Sequence, residues 1–384
     1  MMVALLLYGY CQGERSSRVI EKRCVRDVGY RMITGGLRPD HAAIARFRAC
    51  HQEALGGLFS QVLRLLAAEG MVCLGMLSVD GTKLAGNASQ KANKTLPQIE
   101  KLLAEAAAAD AAEDARYGDA PGAPTPRALA RRAERRQRLA AAAGRLTAED
   151  QARRDAQRAK QQAWDAAAAA GKPRGHRPAD QPPRPNRNNT GPRANITDPD
   201  VRVMRNQKGY VAGYNGQLVV TAQQVIAGAV LSQHPVDRTL LHPVPGTCRH
   251  QLAEAGIKPA LRTVLADSGY VTEDNFARAG TDGLRLLAPL AKDPGRRRQR
   301  TPQRPRDLDR LPATARAVRR LRYHRGRADY KLRAQTVEPV FGQIKTCMKM
   351  TAMSRRGFEA CRSEWLLAAT AHNLRKLHAH HRNV

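Results

Sequence analysis

With 384 residues and 65 Lys+Arg against 34 Asp+Glu, the chain carries a formal charge of +31. That length holds one large domain or two ordinary ones, and so positive a field concentrates a polyanion and gains from release of its counterions, which points to nucleic acid. An aromatic content of 4% argues against an RNA reader built on stacking platforms, and seven scattered cysteines with no CxxC pair indicate neither a zinc ribbon nor a disulfide framework.

The first apolar stretch, residues 3–10, is too short to cross a bilayer and lacks the basic leader and cleavage site of a signal peptide. It reads as a buried helix of a soluble, cytoplasmic protein, and no membrane span is expected elsewhere. Residues 1–70 are expected to form a helical domain. Asp40 caps a helix carrying Ile44, Phe47, Leu55, Leu58, Phe59, Val62 and Leu66. Arg15, Arg18, Lys22, Arg23 and Arg26 charge the preceding helix, so DNA-end recognition and a scaffolding role both stand open.

Residues 71–80 form an apolar run ending in Asp80-Gly81, expected as a buried strand with a carboxylate at its exit. Residues 97–170 are rich in Ala, Arg and Gln and predict a long, partly exposed helical hairpin. Its signals are a helix start at Thr125-Pro126 and a capping box at 147–150. Residues 171–196 predict a basic loop. Filler and DNA-phosphate contact are equal readings of this insertion, 97–196.

From residue 197 the pattern turns to strands. Residues 209–215, 217–221 and 225–231 predict an antiparallel meander, followed by a helix over 238–255 and a buried strand over 261–266 that ends at Asp267. A helix over 274–280, a strand over 284–290, an Arg/Pro-rich loop over 292–312 and helices over 313–347 and 358–380 complete the chain. Asp237 reads as a helix N-cap, Trp365 as core, His378, His380 and His381 as a solvated tail, and Cys248 with His250 as a chance pair.

The chemistry rests on carboxylates. Asp80 and Asp267 each end an apolar strand and precede a glycine, where the edge of a sheet opens a crevice. A third acid, Glu338, lies beside a helical stripe of Val337, Val340, Phe341, Ile344 and Met348. Lys345, seven residues on, lies near the same face, and Pro339 predicts a start or kink of that helix at Glu338. Phosphodiester cleavage by two Mg²⁺ ions about 4 Å apart needs hard oxygen ligands of this kind. Without metal, gathered carboxylates repel one another and their pKa values rise.

In this order the motifs resemble the DDE transposases of bacterial insertion sequences, the broad group related to insertion sequences four and five. The segments that carry the resemblance are Leu5-Leu-Leu-Tyr-Gly-Tyr10 through Arg15 and Glu21, Pro39-Asp-His41 with Arg46-Phe-Arg48, Val79-Asp-Gly-Thr-Lys83 with Asn87, Thr197-Asp-Pro-Asp200 with Gly213-Tyr-Asn215, Leu265-Ala-Asp-Ser-Gly-Tyr270, Val337 to Lys345, Arg355-Arg-Gly357, and Glu364-Trp365 with Asn373-Leu374. They span the chain apart from roughly residues 97–195.

The resemblance implies an α/β fold: an RNase H-like mixed sheet flanked by helices, as a catalytic domain over 71–384, with an N-terminal helical domain over 1–70 and the helical insertion. It implies Asp80 on the first strand, Asp267 just after the fourth and Glu338 on a later helix. By the same resemblance these three are the expected catalytic metal ligands for two Mg²⁺, with Mn²⁺ as an expected substitute. Tyr330, Arg333, Glu338 and Lys345 look like the family's Tyr-Arg-Glu-Lys signature, with four residues between Arg333 and Glu338 where many relatives have three. Lys345, Arg333, Tyr330 and Lys83 are the expected DNA contacts. The implied reaction is nicking at the element's inverted-repeat ends and attack of a 3′-hydroxyl on target DNA, with a homodimer pairing the two ends. Relatives carry further residues before Leu5, so the end-binding domain is expected to be truncated. The rivals are a nuclease that cuts without joining and a non-catalytic DNA-binding remnant.

Overall fold

The computed structural model describes residues 1–117, 127–171, 175–180, 192–206, 209–258, 261–290 and 312–382. The Thr125-Pro126 helix start, most of the predicted 171–196 loop and all but the last residue of the 292–312 loop lie outside these. The chain divides into two compact units, Met1–Asn87 with Val203–Val384, and Ala88–Arg202.

The first unit begins with five helices: α1 (Met2–Cys11), α2 (Ser17–Arg26), α3 (Val28–Thr34), α4 (His41–Cys50) and α5 (Gln52–Ala68). The apolar start is the predicted buried helix, with Leu5, Leu6 and Tyr10 sealed from solvent. Asp40 caps α4 as expected, accepting from Ala43 N at 2.5 Å. The single helix expected beyond it breaks at His51, but Ile44, Leu55, Phe59, Val62 and Leu66 still share one buried core.

Strand β1 (Met76–Ala85) follows, and the chain then enters the second unit. There β2 (Asn93–Thr95) pairs antiparallel with β3 (Arg193–Asn195), and between them in sequence lie α6 (Leu96–Tyr117) and α7 (Arg127–Ala169). The two helices pack together on a small core of Ile99, Leu139, Ala142, Leu146 and Ala194. Arg145 ties α7 to the returning chain, donating to the carbonyls of Pro199 at 2.7 Å, Val201 at 2.9 Å and Arg193 at 2.8 Å. The capping box at 147–150 does not start a helix. Strong helix formers flank it on both sides, and Thr147 Oγ1 instead donates back to Ala143 O at 3.2 Å within α7.

Back in the first unit come β4 (Arg202–Asn206), β5 (Gly209–Thr221), β6 (Ile226–Ser232), α8 (Pro243–Glu254), β7 (Thr263–Leu265), α9 (Glu273–Thr281), β8 (Arg285–Leu287), α10 (Pro312–Arg322), α11 (His324–Gly342) and α12 (Phe358–Arg382). The sheet runs β4-β5-β1-β7-β8, with β6 also paired to β5. β1 is antiparallel to β5 and parallel to β7, which is parallel to β8. The two strands expected at 209–215 and 217–221 are one, because the glycine between them needs no turn. Gly216 lies under the ring of Trp365, where a Cβ would come within 3.0 Å. Trp365 is fully buried, as expected, and donates to Gln217 O at 3.3 Å. The result is a mixed sheet flanked by helices, with a helical N-terminal region, consistent with an RNase H-like arrangement. Among the described residues no helix is long and apolar enough to cross a membrane.

Candidate active site

Asp80 is not at a strand exit. β1 continues five residues past it, because its antiparallel register with β5 holds from Leu77↔Thr221 through Asp80↔Leu218 to Ala85↔Gly213. The opening lies on the other side. Parallel pairing of β1 with β7 stops at Ser78↔Leu265. Continuing that register by two residues sets Asp80 level with Asp267, where β7 has ended and the chain turns away. There Asp267 Oδ1 accepts from Gly269 N at 2.8 Å and caps the short 3-10 turn Ser268–Tyr270.

Helix α11 brings the third acid. The side chains of Val337, Val340 and Ile344 are fully buried, so the predicted apolar stripe fixes how the helix sits. Thr336 Oγ1 donates to Arg333 O at 3.0 Å and lies 2.6 Å from Ser78 Oγ, two residues before Asp80 on β1. Pro339 neither starts nor breaks the helix, which runs through it. Proline has no N–H to give the carbonyl four residues back, and Gln224 Nε2 serves that carbonyl, Gln335 O, at 2.9 Å instead. The helix then widens into a π-helical turn, Gln343–Cys347, which carries Lys345.

Arg333 joins two of the acids. Its Nη2 donates to Asp80 Oδ2 at 2.6 Å and its Nη1 to Glu338 Oε1 at 3.1 Å. Asp80 Oδ1 accepts from Gly81 N at 2.8 Å. Burial pushes the Asp80 carboxyl up to about 6, and the charges of Asp267 and Asp237 add to the rise, while Arg333 and the Gly81 N–H oppose it. The Tyr330 hydroxyl is raised by burial and by the fields of Asp267, Asp80 and Glu338 against that of Arg333. Burial lowers Lys345, with Asp80 opposing, and its Nζ sits 5.9 Å from the Phe341 ring centre. Tyr330, Arg333, Glu338, Lys345, Asp80 and Asp267 thus share one electrostatic neighbourhood.

Lys83 is committed elsewhere: its Nζ donates to Asp237 Oδ1 at 2.9 Å, and its side chain is only 13% exposed. Asp237 is not the helix cap expected from sequence. It opens a 3-10 turn, Asp237–Thr239, without capping it, and its Oδ1 accepts from Lys83, from Asn215 Nδ2 at 2.8 Å and from Gln217 Nε2 at 2.9 Å. From sequence, Asn215 enters only as part of a motif with no role assigned, and Gln217 only as the start of a strand. The available signal was two amides at period two, on one face of an otherwise apolar strand.

The raised pKa of Asp80 fixes a stability dependence in metal-free protein. Below about pH 4 the carboxyl is protonated in both folded and unfolded chains and contributes nothing. As pH rises past the unfolded value, only the unfolded chain releases the proton, so the folded state loses ground until about pH 6. Two pKa units correspond to about 3 kcal/mol. Asp80→Asn removes that cost, so in chelator its melting temperature should exceed wild type at pH 8 and match it at pH 3.5. A variant less stable than wild type at pH 8 refutes this.

Among the described residues no three His, Cys, Asp or Glu side chains are gathered tightly enough to hold one metal ion. The donor set nonetheless fits a hard divalent cation, being carboxylate oxygen throughout.

Comparison with known families gives two matches. Residues 293–378 match the family described as Transposase DDE domain, and residues 1–50 match Transposase domain (DUF772). The first includes Tyr330, Arg333, Glu338 and Lys345; Asp80 and Asp267 lie outside both. No curated protein matches the chain, and no solved structure does. Two transposase family models, met at opposite ends of one chain whose sheet is consistent with an RNase H-like arrangement, support a bacterial transposase of the DDE type.

Proposed function

We propose that this transposase cuts phosphodiester bonds at its element's ends and transfers the resulting 3′-hydroxyl into target DNA, with Asp80, Asp267 and Glu338 as the ligands of two Mg²⁺ ions. The observation that carries the reading is Arg333, whose guanidinium spans Asp80 and Glu338, 258 residues apart in sequence, beside Asp267. When bound, the metals activate the attacking oxygen and stabilise the leaving one. The chain's own groups orient the substrate. Arg333 holds Asp80 and Glu338 in place, and once a bound metal takes over those carboxylates its fork is free to meet phosphate oxygens. Lys345 and Tyr330 stand ready for the neighbouring backbone. Arg319, Arg320 and Arg322 at the end of α10, with Arg325 and Arg327 at the start of α11, are exposed and extend the positive surface along the helix that bears Glu338. Pairing of two element ends calls for a homodimer.

Purified protein incubated with Mg²⁺, the element's inverted-repeat DNA and a second duplex is expected to give nicked and then joined products. Nicks alone would make it a nuclease, and a shifted band without cleavage would make it a DNA-binding remnant.

A further inference from the structure

Behind the acids lies a buried polar chain that the proposed reaction does not use directly. The Tyr270 hydroxyl, three residues beyond Asp267, donates to Gln217 Oε1. Gln217 Nε2 donates to Asp237 Oδ1 at 2.9 Å and to Asn215 Oδ1 at 3.0 Å. Asn215 Nδ2 donates to Asp237 at 2.8 Å, and Lys83, three residues beyond Asp80, closes the chain on the same oxygen. Asn215, Gln217 and Tyr270 are wholly sealed from solvent. Asn275 on α9 stitches the two turns together, donating to Tyr270 O at 2.7 Å and Arg238 O at 2.8 Å. Gly81 belongs to the same design, since a Cβ there would collide with Gln217 Nε2.

We propose that Asp237 and Gln217 are positioning residues which, through Tyr270 on one side and Lys83 on the other, set the separation of Asp267 from Asp80. The proposal rests on those two acids being the metal ligands. Its physical basis is cost. Buried polar groups in this number stabilise a fold no better than apolar packing would, and what they add is a unique geometry. Here both side-chain amide atoms of Gln217 are hydrogen-bonded, and the chain runs from the turn holding one acid to the strand holding the other. Asp237 serves as its anchor, with Oδ1 committed to three donors and its charge met by Lys83.

The test uses full-length Tyr270→Phe, which removes one hydroxyl and keeps the ring, together with Asp237→Asn, the double variant and Asp80→Ala. Mn²⁺ binding without DNA is followed by electron paramagnetic resonance. Nicking of inverted-repeat DNA is resolved into kcat and KM, at a temperature where melting curves show each variant folded. Each single variant is expected to lose about 10–100-fold in Mn²⁺ affinity or kcat, with KM for DNA unchanged. The double variant should be no worse than the poorer single, because both act through Gln217. Wild-type Mn²⁺ affinity and kcat in Tyr270→Phe overturn the proposal, as does Asp237→Asn as inactive as Asp80→Ala beside a fully active Tyr270→Phe, which would make Asp237 a ligand itself. If Asp80→Ala still nicks DNA, it is the underlying assignment that falls.

Discussion

Replacement of Asp80, Asp267 or Glu338 by Ala is expected to lower strand cleavage by about 10³-fold or more, since losing a metal's stabilisation of the reacting oxygens removes several kcal/mol. DNA binding should stay within a few fold, because affinity comes mainly from cation–phosphate contacts and each variant removes a negative charge. Asp80 has the most to lose. It is buried, lies on the central strand and holds Arg333, so Asp80→Ala also releases that guanidinium. Glu338 is the sharper test, being 57% exposed and held, among the described residues, by one ion pair at 3.1 Å. Cleavage of end DNA and gel shifts measured in parallel decide the matter. Glu338→Ala cutting at the wild-type rate would strike it from the ligand set.

The second large effect is on stability. Glu364, on α12, is fully buried at the side chain and accepts from Arg15 Nη1 at 3.0 Å, Ser354 N at 3.0 Å, Ser354 Oγ at 2.6 Å and Arg355 N at 3.2 Å. Arg15 in turn donates to the carbonyls of Ala352 at 2.7 Å and Lys349 at 3.1 Å. One carboxylate therefore holds the segment between α1 and α2 against the chain that leads into α12. Glu364→Ala would take one partner from the half-buried Arg15 guanidinium, which keeps its two carbonyls, and leave the half-buried N–H groups of Ser354 and Arg355 without their carboxylate, at a cost of about 3 kcal/mol. Glu364→Gln keeps the shape and should lose less. Denaturant unfolding at fixed slope measures both, and a loss under about 1 kcal/mol for Glu364→Ala would show that the network contributes little.

Internal bonding of this kind accounts for several motifs that carry the resemblance. Arg15, Arg48, Arg355, Glu364 and Asn373 all belong to the recognisable pattern, yet their side chains bond within the protein. Arg48 donates to Arg15 O and Ser17 Oγ, both at 2.9 Å, and Asn373 pairs with the backbone of Ile226. They hold the scaffold, whereas Tyr330, Arg333 and Lys345 face the acids.

Several features needed nothing but local order. The buried first helix, the Asp40 cap, the apolar stripe through Val337 and Ile344 and the buried Trp365 follow from side-chain period and residue chemistry, which act within a few residues. What those rules could not reach was set by contacts between distant segments. β1 runs on past Asp80 because β5 supplies partners for its backbone. α11 passes through Pro339 because Gln224, far away in the chain, serves the carbonyl left bare. Asp237 is an anchor and not a cap because Lys83, Asn215 and Gln217 converge on it. In each case a hydrogen-bonding group left over by local structure is satisfied across the fold, and only folding decides which partner arrives.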